Sequence, residues 1–229
     1  MKFICVHGHF YQPPRENPWL GEVETQHSAY PYHDWNDRIN AECYAPNAFA
    51  RFEGQDFVSN YEFMSFDFGP TLLSWLESHA PDVYAKILEA DRRGAGRFSG
   101  HGPAVAHPYY HVILPLASDL DRRTLIRWGL CDFEWRFGRK PEGLWLPEMA
   151  VDMKTLEILA EAGMKFVILS PLQACRVKTG EGWQNVTGGR INTKMPYICR
   201  LPSGGEIQVI FRDEWISNDL AFGGLARNG

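Results

Sequence analysis

Apolar residues in this chain fall into short runs that alternate with one-sided helical stripes. Residues 3–6, Phe-Ile-Cys-Val, form a run ending in His7-Gly8-His9, the pattern of a buried strand that delivers polar groups at its C-terminal end. Residues 10–36 then show no period and are rich in Pro, His, Trp and Tyr. So long a stretch inside a compact chain points to function, and its aromatic content argues against disorder. A helical pattern covers 37–52, and 57–63 reads as a second strand. Pro70 precedes a helix with Leu72, Leu73 and Leu76 on one side; Pro81 opens another that buries Val83, Ile87 and Ala90 and stops at Gly94-Ala95-Gly96. Over 119–137 the stripe places Leu120, Thr124, Trp128, Cys131 and Trp135 on one expected core face. A strand at 143–146, a helix at 152–162 closed by Gly163, and a buried strand at 165–169 continue the alternation.

Strands alternating with helices of this length predict βαβ units and a parallel sheet or barrel. Residues 176–194 read as an irregular excursion, followed by an antiparallel hairpin with strands at 197–201 and 206–211 around Ser203-Gly204-Gly205. No internal repeat, low-complexity segment or Pro/Ser linker stands out, so residues 1–229 are read as one domain. Fewer parallel strands precede the hairpin than a closed barrel needs, and residues 221–229 spell no closing element. The expectation is a barrel cut off before completion.

Composition narrows the chemistry. A hydrophobic share of 45% is that of a globular core, and a formal charge of -5 leaves no excess of Lys or Arg for phosphates, so nucleic acid is not an expected partner. Five scattered cysteines without C-x-x-C spacing read as reduced, mostly buried thiols. The first apolar run breaks at His7, too early for a signal peptide, and no stretch has the ~20 apolar residues of a membrane span. A cytoplasmic protein without a membrane partner is expected. Aromatic residues make up 14% of the chain; most are expected in the core, and only those beside polar motif residues bear on sugar stacking.

Three strings carry the candidate chemistry: HGHFYQPPRENPW at 7–19, AHPYYHVILPLA at 106–117 and GLWLPEMAVD at 143–152. Together they resemble the first three motifs of glycoside hydrolase family 57, and the resemblance covers nearly the whole chain. It is nearest to a subgroup with the HGHFYQPPRE opening. The resemblance implies a distorted parallel β/α barrel of the (β/α)7 type and a retaining glycosidase or 4-α-glucanotransferase acting on α-glucans without a cofactor. It implies Glu148 as nucleophile, with His7, His9, Gln12, His107 and Trp145 as substrate contacts. From the residues alone, Trp19, Trp35, Tyr30 and Tyr32 in the long aperiodic segment read equally as sugar-stacking platforms and as loop packing, and Trp19 is counted with the substrate contacts. In the family motif the His and Gln-Pro are adjacent; here Phe10-Tyr11 separates His9 from Gln12, so which histidine contacts substrate stays open. One of His7 and His9 is expected in the site and the other as a hydrogen-bonded packing residue.

Retaining hydrolysis also needs a carboxyl group ~5 to 5.5 Å from the nucleophile to protonate the leaving oxygen. The family's acid is an aspartate further along the chain in an Asp-Gly-Glu-like stretch, which this sequence lacks. Asp213 is the substitute within the chain, and a product impaired by the missing acid is the leading expectation.

Two rival readings remain. Metal-dependent polysaccharide deacetylases carry a string like SFDFGP at 65–70 but with two adjacent aspartates; here Phe68 replaces the second, and Asp67 reads as a cap for the helix near Pro70. His107 and His111 have a spacing that could pair metal ligands on a helix, but Pro108 disfavours a helix there, and no metal is expected. The other rival is a non-catalytic carbohydrate-binding fragment.

Overall fold

The computed structural model describes residues 3–51 and 58–225. It divides into two compact units, Met1–Val112 with Arg123–Pro141, and Ile113–Arg122 with Glu142–Gly229.

In the first unit, strand β1 (His7–Phe10) pairs with β2 (Ser65–Phe68), which pairs with β3 (Ala104–Val105), all parallel. Between β1 and β2 lie helices α1 (Trp35–Ile39) and α2 (Ala45–Ala48), joined by a π turn, Asn40–Tyr44. Asp34 starts α1 by accepting the amides of Asn36 and Asp37. Helices α3 (Pro70–His79) and α4 (Pro81–Arg97) follow β2, each with Pro in its first turn, where the missing amide costs nothing. Phe66, Leu72, Leu73, Leu76, Ile87 and Tyr61 are among the fully buried side chains of this unit.

Helix α5 (Asp119–Phe137) is shared by both units. In the second unit, β4 (Phe166–Leu169) pairs in parallel with β8 (Glu206–Phe211), and β7 (Tyr197–Arg200) pairs antiparallel with β8. Strands β5 (Arg176–Thr179) and β6 (Gly182–Asn185) form a separate hairpin. Helix α6 (Met153–Glu161) packs Leu156 and Leu159 into the core, and α7 (Glu214–Phe222) ends the described chain with no buried residue. The predicted mixture of helices and sheets is present, with a parallel and a mixed sheet.

Several local expectations are corrected. The first strand begins at His7, not residue 3; Phe3 and Ile4 are 83% and 96% exposed, because the ladder starts with the amide of Ser65 on the carbonyl of Val6. The strand expected at 57–63 is absent over its described part. Val58 makes a lone bridge to Ala50, and Asn60–Glu62 is a 3-10 turn that buries Tyr61, whose hydroxyl donates to the Tyr44 carbonyl. Residues 52–56 of the expected helix tail and intervening stretch, and residue 57, lie outside the described residues.

Helix α4 continues through Gly94-Ala95-Gly96 instead of stopping there. Gly94 serves close approach: a β-carbon on it would lie 2.4 Å from Pro103 Cδ. On α5 the expected core face is the exposed one, with Leu120, Trp128 and Trp135 at 76%, 52% and 68% exposure. The buried positions are Arg122, Ile126, Gly129 and Phe133, a stripe masked in the sequence by an arginine and a glycine. Residues 143–146 form no extended strand but hold bridge residues at Gly143, which pairs in parallel with Phe166, and at Leu144, and the expected irregular excursion contains the β5–β6 hairpin. The cysteines are free, but Cys5, Cys131 and Cys175 are exposed and Cys43 and Cys199 half-buried. No helix of the described residues is long and apolar enough to cross a membrane.

Candidate functional site

The register of β1 on β2 sets His7 opposite Ser65 and His9 opposite Asp67. Strand residues two apart share a face, so both histidines point the same way. This corrects the expectation that only one belongs with the polar cluster. His7 Nε2 lies 3.1 Å from Asp67 Oδ1, and His9 Nδ1 lies 2.8 Å from Asp67 Oδ2, so one carboxylate holds both rings. Ser65 Oγ, 2.9 Å from His7 Nδ1, fixes the first ring from its other side.

Asp67 is fully buried. Burial alone would raise its pKa, but attraction to His9 and hydrogen bonds from His7 and His9 outweigh that cost and hold it below the ordinary carboxylate range. Its expected role as a helix cap is overturned. Gly69 occupies the N-cap of α3, and both Asp67 oxygens face the histidines.

The segment after β3 brings two more histidines to this cluster. His107 is 2% exposed, its Nδ1 is 2.6 Å from the Pro108 carbonyl, and its Nε2 is 3.0 Å from His111 Nδ1. A carbonyl only accepts, so His107 carries its proton on Nδ1 and turns an unprotonated Nε2 toward His111. Burial pushes the His107 pKa down to about 4, against the attraction of Asp67. The His9 ring stacks at 5.7 Å from His107 and 5.1 Å from His111, and Tyr11 stacks on His111 at 4.4 Å. As Pro108 predicted, the two histidines four apart are not on a helix; an irregular stretch brings them together all the same.

Gln12, just beyond β1, accepts from Arg15 Nη2 at 2.6 Å and donates to the Tyr44 hydroxyl at 3.4 Å. Arg15 also reaches Asn36 and Gln26, which ties the long aperiodic segment to α1. Trp19 is 91% exposed and Tyr30 82%, so neither is loop packing within this chain.

In the second unit, the buried run Leu144-Trp145-Leu146-Pro147 leads to Glu148, whose residue is exposed. Glu148 and Met149 both adopt left-handed backbone conformation, with φ of 54° and 53°. Two successive non-glycine residues there store strain of about 1–3 kcal/mol each. The turn is held by Met149 N to Leu146 O at 2.7 Å, Ala150 N to Pro147 O at 3.0 Å, and Gln173 Nε2 to Met149 O at 2.5 Å. Asp152, four residues on, caps α6 through Thr155 and forms a two-oxygen pair with the buried Arg122. Asp213 accepts the amide of Ile216 as the N-cap of α7, and Glu214 pairs with Arg212 and Ser170.

Sequence reasoning singled out His7, His9 and His107 but passed over Tyr11, gave Asp67 the wrong task and set His111 aside. The available signal was the equal length of HGHF and SFDF: aligned as parallel strands, they bring Asp67 beside His9.

The family model for glycosyl hydrolase family 57 matches residues 6–228. Alpha-amylase 1 of Dictyoglomus thermophilum is 30% identical over 118 residues, which is 52% of this chain and 16% of that protein. Among solved structures, a 4-alpha-glucanotransferase from Thermococcus litoralis is similar with a TM-score of 0.60 at 21% identity, covering 97% of this chain and 30% of that one. A family 57 branching enzyme from Thermococcus kodakaraensis is similar with a TM-score of 0.59 at 16% identity, covering 96% of this chain and 48% of that one. The chain thus spans less than half the length of each of these relatives. With a family model matched over nearly its whole length, it belongs to glycosyl hydrolase family 57.

Proposed function

We propose that this chain supplies the nucleophile-bearing part of a retaining glycoside hydrolase or 4-α-glucanotransferase acting on α-glucans, in a β/α barrel of the (β/α)7 type. Glu148 attacks the anomeric carbon, the leaving sugar oxygen takes a proton, and the resulting glycosyl-glutamate passes to water or to a second sugar. The observation that carries the reading is the exposed Glu148 on a strained left-handed turn at the end of a buried apolar run. Backbone strain of this kind collects where a reactive group must be held in place. The names of the similar proteins, an amylase, a glucanotransferase and a branching enzyme, support an α-glucan substrate.

In this reading His7, His9, Gln12, His107 and Trp145 contact the sugar, and Trp19 offers an exposed ring to an apolar sugar face. Asp213 is a poor proton donor as it stands, since it would have to give up the cap on α7. The general acid is therefore assigned elsewhere than Asp213, and this chain alone is expected to trap the glycosyl-enzyme better than it turns over.

The test is mass spectrometry after incubation with an activated fluoro-glucoside. A covalent adduct on the peptide containing Glu148, absent in Glu148→Gln, is expected. An adduct on another carboxylate, or turnover unchanged in Glu148→Gln, would overturn the assignment.

A further inference from the structure

Gln173 sits on the 3-10 turn Pro171–Gln173 that follows β4. Its side-chain Oε1 accepts the Ser170 amide at 3.0 Å, and its Nε2 donates to the Met149 carbonyl at 2.5 Å. A backbone amide only donates and a carbonyl only accepts, so these two partners settle which end of the Gln173 side chain is which. Glutamine suits the place because one neutral group must give a hydrogen bond and take another.

The contact joins neighbouring segment ends within the second unit. Gly143 bridges Phe166 of β4 in parallel, and β4 runs parallel to β8 with Leu169 opposite Phe211. Glu148, Gln173 and Glu214 therefore all follow the C-terminal ends of adjacent parallel segments. Ser170, which gives its amide to Gln173, donates its hydroxyl to Glu214 at 3.1 Å, and Arg212 holds Glu214 through two nitrogens at 2.6 and 3.1 Å. The turn that carries Gln173 is thus anchored on its far side.

Left-handed backbone at two successive non-glycine residues persists only where the surroundings over-determine it. The bonds from Met149 N to Leu146 O and from Ala150 N to Pro147 O lie within the Glu148 turn itself, whereas Gln173 reaches it from another element. Fixing the Met149 carbonyl fixes the rotation of the residue next to Glu148, and with it the direction in which the Glu148 side chain leaves the turn.

We infer that Gln173 is a positioning residue for the Glu148 nucleophile, acting through the Met149 carbonyl and braced by Ser170 and Glu214. The inference rests on the reading of Glu148 as nucleophile.

The whole chain is treated with the activated fluoro-glucoside, and mass spectrometry follows the adduct on Glu148 against time and reagent concentration. Gln173→Glu keeps the acceptor for Ser170 and loses the donor to Met149; Gln173→Met loses both and adds no charge. Gln173 is exposed, and circular dichroism verifies that both variants are folded. In both, the maximal rate constant of labelling is expected to fall at least about tenfold, since a misplacement of about 1 Å can cost on the order of 100-fold. The half-saturating reagent concentration and the final extent of labelling should stay those of the unaltered protein. A merely destabilised chain would do the reverse, lowering the extent of labelling at an unchanged rate constant. An unchanged rate constant in Gln173→Met, or a fall confined to Gln173→Glu and so due to its added charge, would overturn the role of Gln173 and leave the nucleophile standing. Absence of any Glu148 adduct in the unaltered protein would overturn the nucleophile, and this role with it.

Discussion

Gly129 on α5 lies so close to His107 that a β-carbon there would sit 2.1 Å from the His107 carbonyl oxygen and 2.9 Å from Pro108 Cα. Backbone, not a flexible side chain, is in the way, so the His107–Pro108 segment must move if the glycine is replaced. Gly129→Ala is expected to cost about 1–3 kcal/mol by overpacking, despite alanine's better helix propensity. A fall in the urea midpoint would show it.

A second expectation concerns Asp91 and Arg139. The guanidinium spans both carboxylate oxygens at 2.7 and 2.8 Å, while Asp91 also accepts the Ala104 amide and Arg139 donates to the Ala104 carbonyl. This pair fixes β3, from which the histidine segment departs. Arg139→Met leaves a nearly fully buried carboxylate without its cation, and a loss of about 3 kcal/mol is expected. Asp91→Asn combined with Arg139→Met should recover part of that loss, as measured by chemical denaturation.

The turn at Glu148 makes an opposite prediction. Glycine adopts the left-handed conformation without steric cost, so Glu148→Gly should be more stable than Glu148→Ala, which also lacks the carboxylate, by about 1 kcal/mol. It should also abolish formation of the glycosyl adduct. Urea melts of the two variants, paired with adduct mass spectrometry, separate strain held for function from an accident of folding.

Asp152 contributes to the acid dependence of the second unit's stability. Burial tends to raise its carboxyl, but the Thr155 hydroxyl and amide and the Arg122 guanidinium outweigh that and lower it. A depressed folded pKa means the unfolded state binds the proton more readily. The stabilisation is therefore complete above the ordinary carboxylate value, 3.8, and is lost as pH falls through the lower folded value. Asp152→Ala should cost about 2 kcal/mol near neutral pH through the lost cap and the stranded Arg122, and should flatten the acid limb of stability against pH.

How much of this was legible beforehand depends on the kind of information each feature needs. Helices α3 and α5 were read at their observed starts, since proline or a run of acidic residues marks a first turn locally. The hairpin of β7 and β8 was read nearly to the residue, because Gly204 at φ 88° encodes the turn in its own backbone preference. The string GLWLPE pointed to Glu148 without coordinates. The buried face of α5 was not legible, because Arg122 and Gly129 are buried for what they meet, a carboxylate and a neighbouring backbone.

The sequence by itself determined the family, the alternation of strands and helices, and the residue types from which a site could be built. Only the tertiary structure decided that Asp67 faces His7 and His9, that His107 and His111 join them, and that Glu148 sits in a left-handed turn. Those outcomes depend on register between strands 58 residues apart in the chain and on close approach across a glycine. Neither leaves a periodic trace, because hydrophobic patterning records which side of an element is buried and not which polar group waits on the other side of the contact.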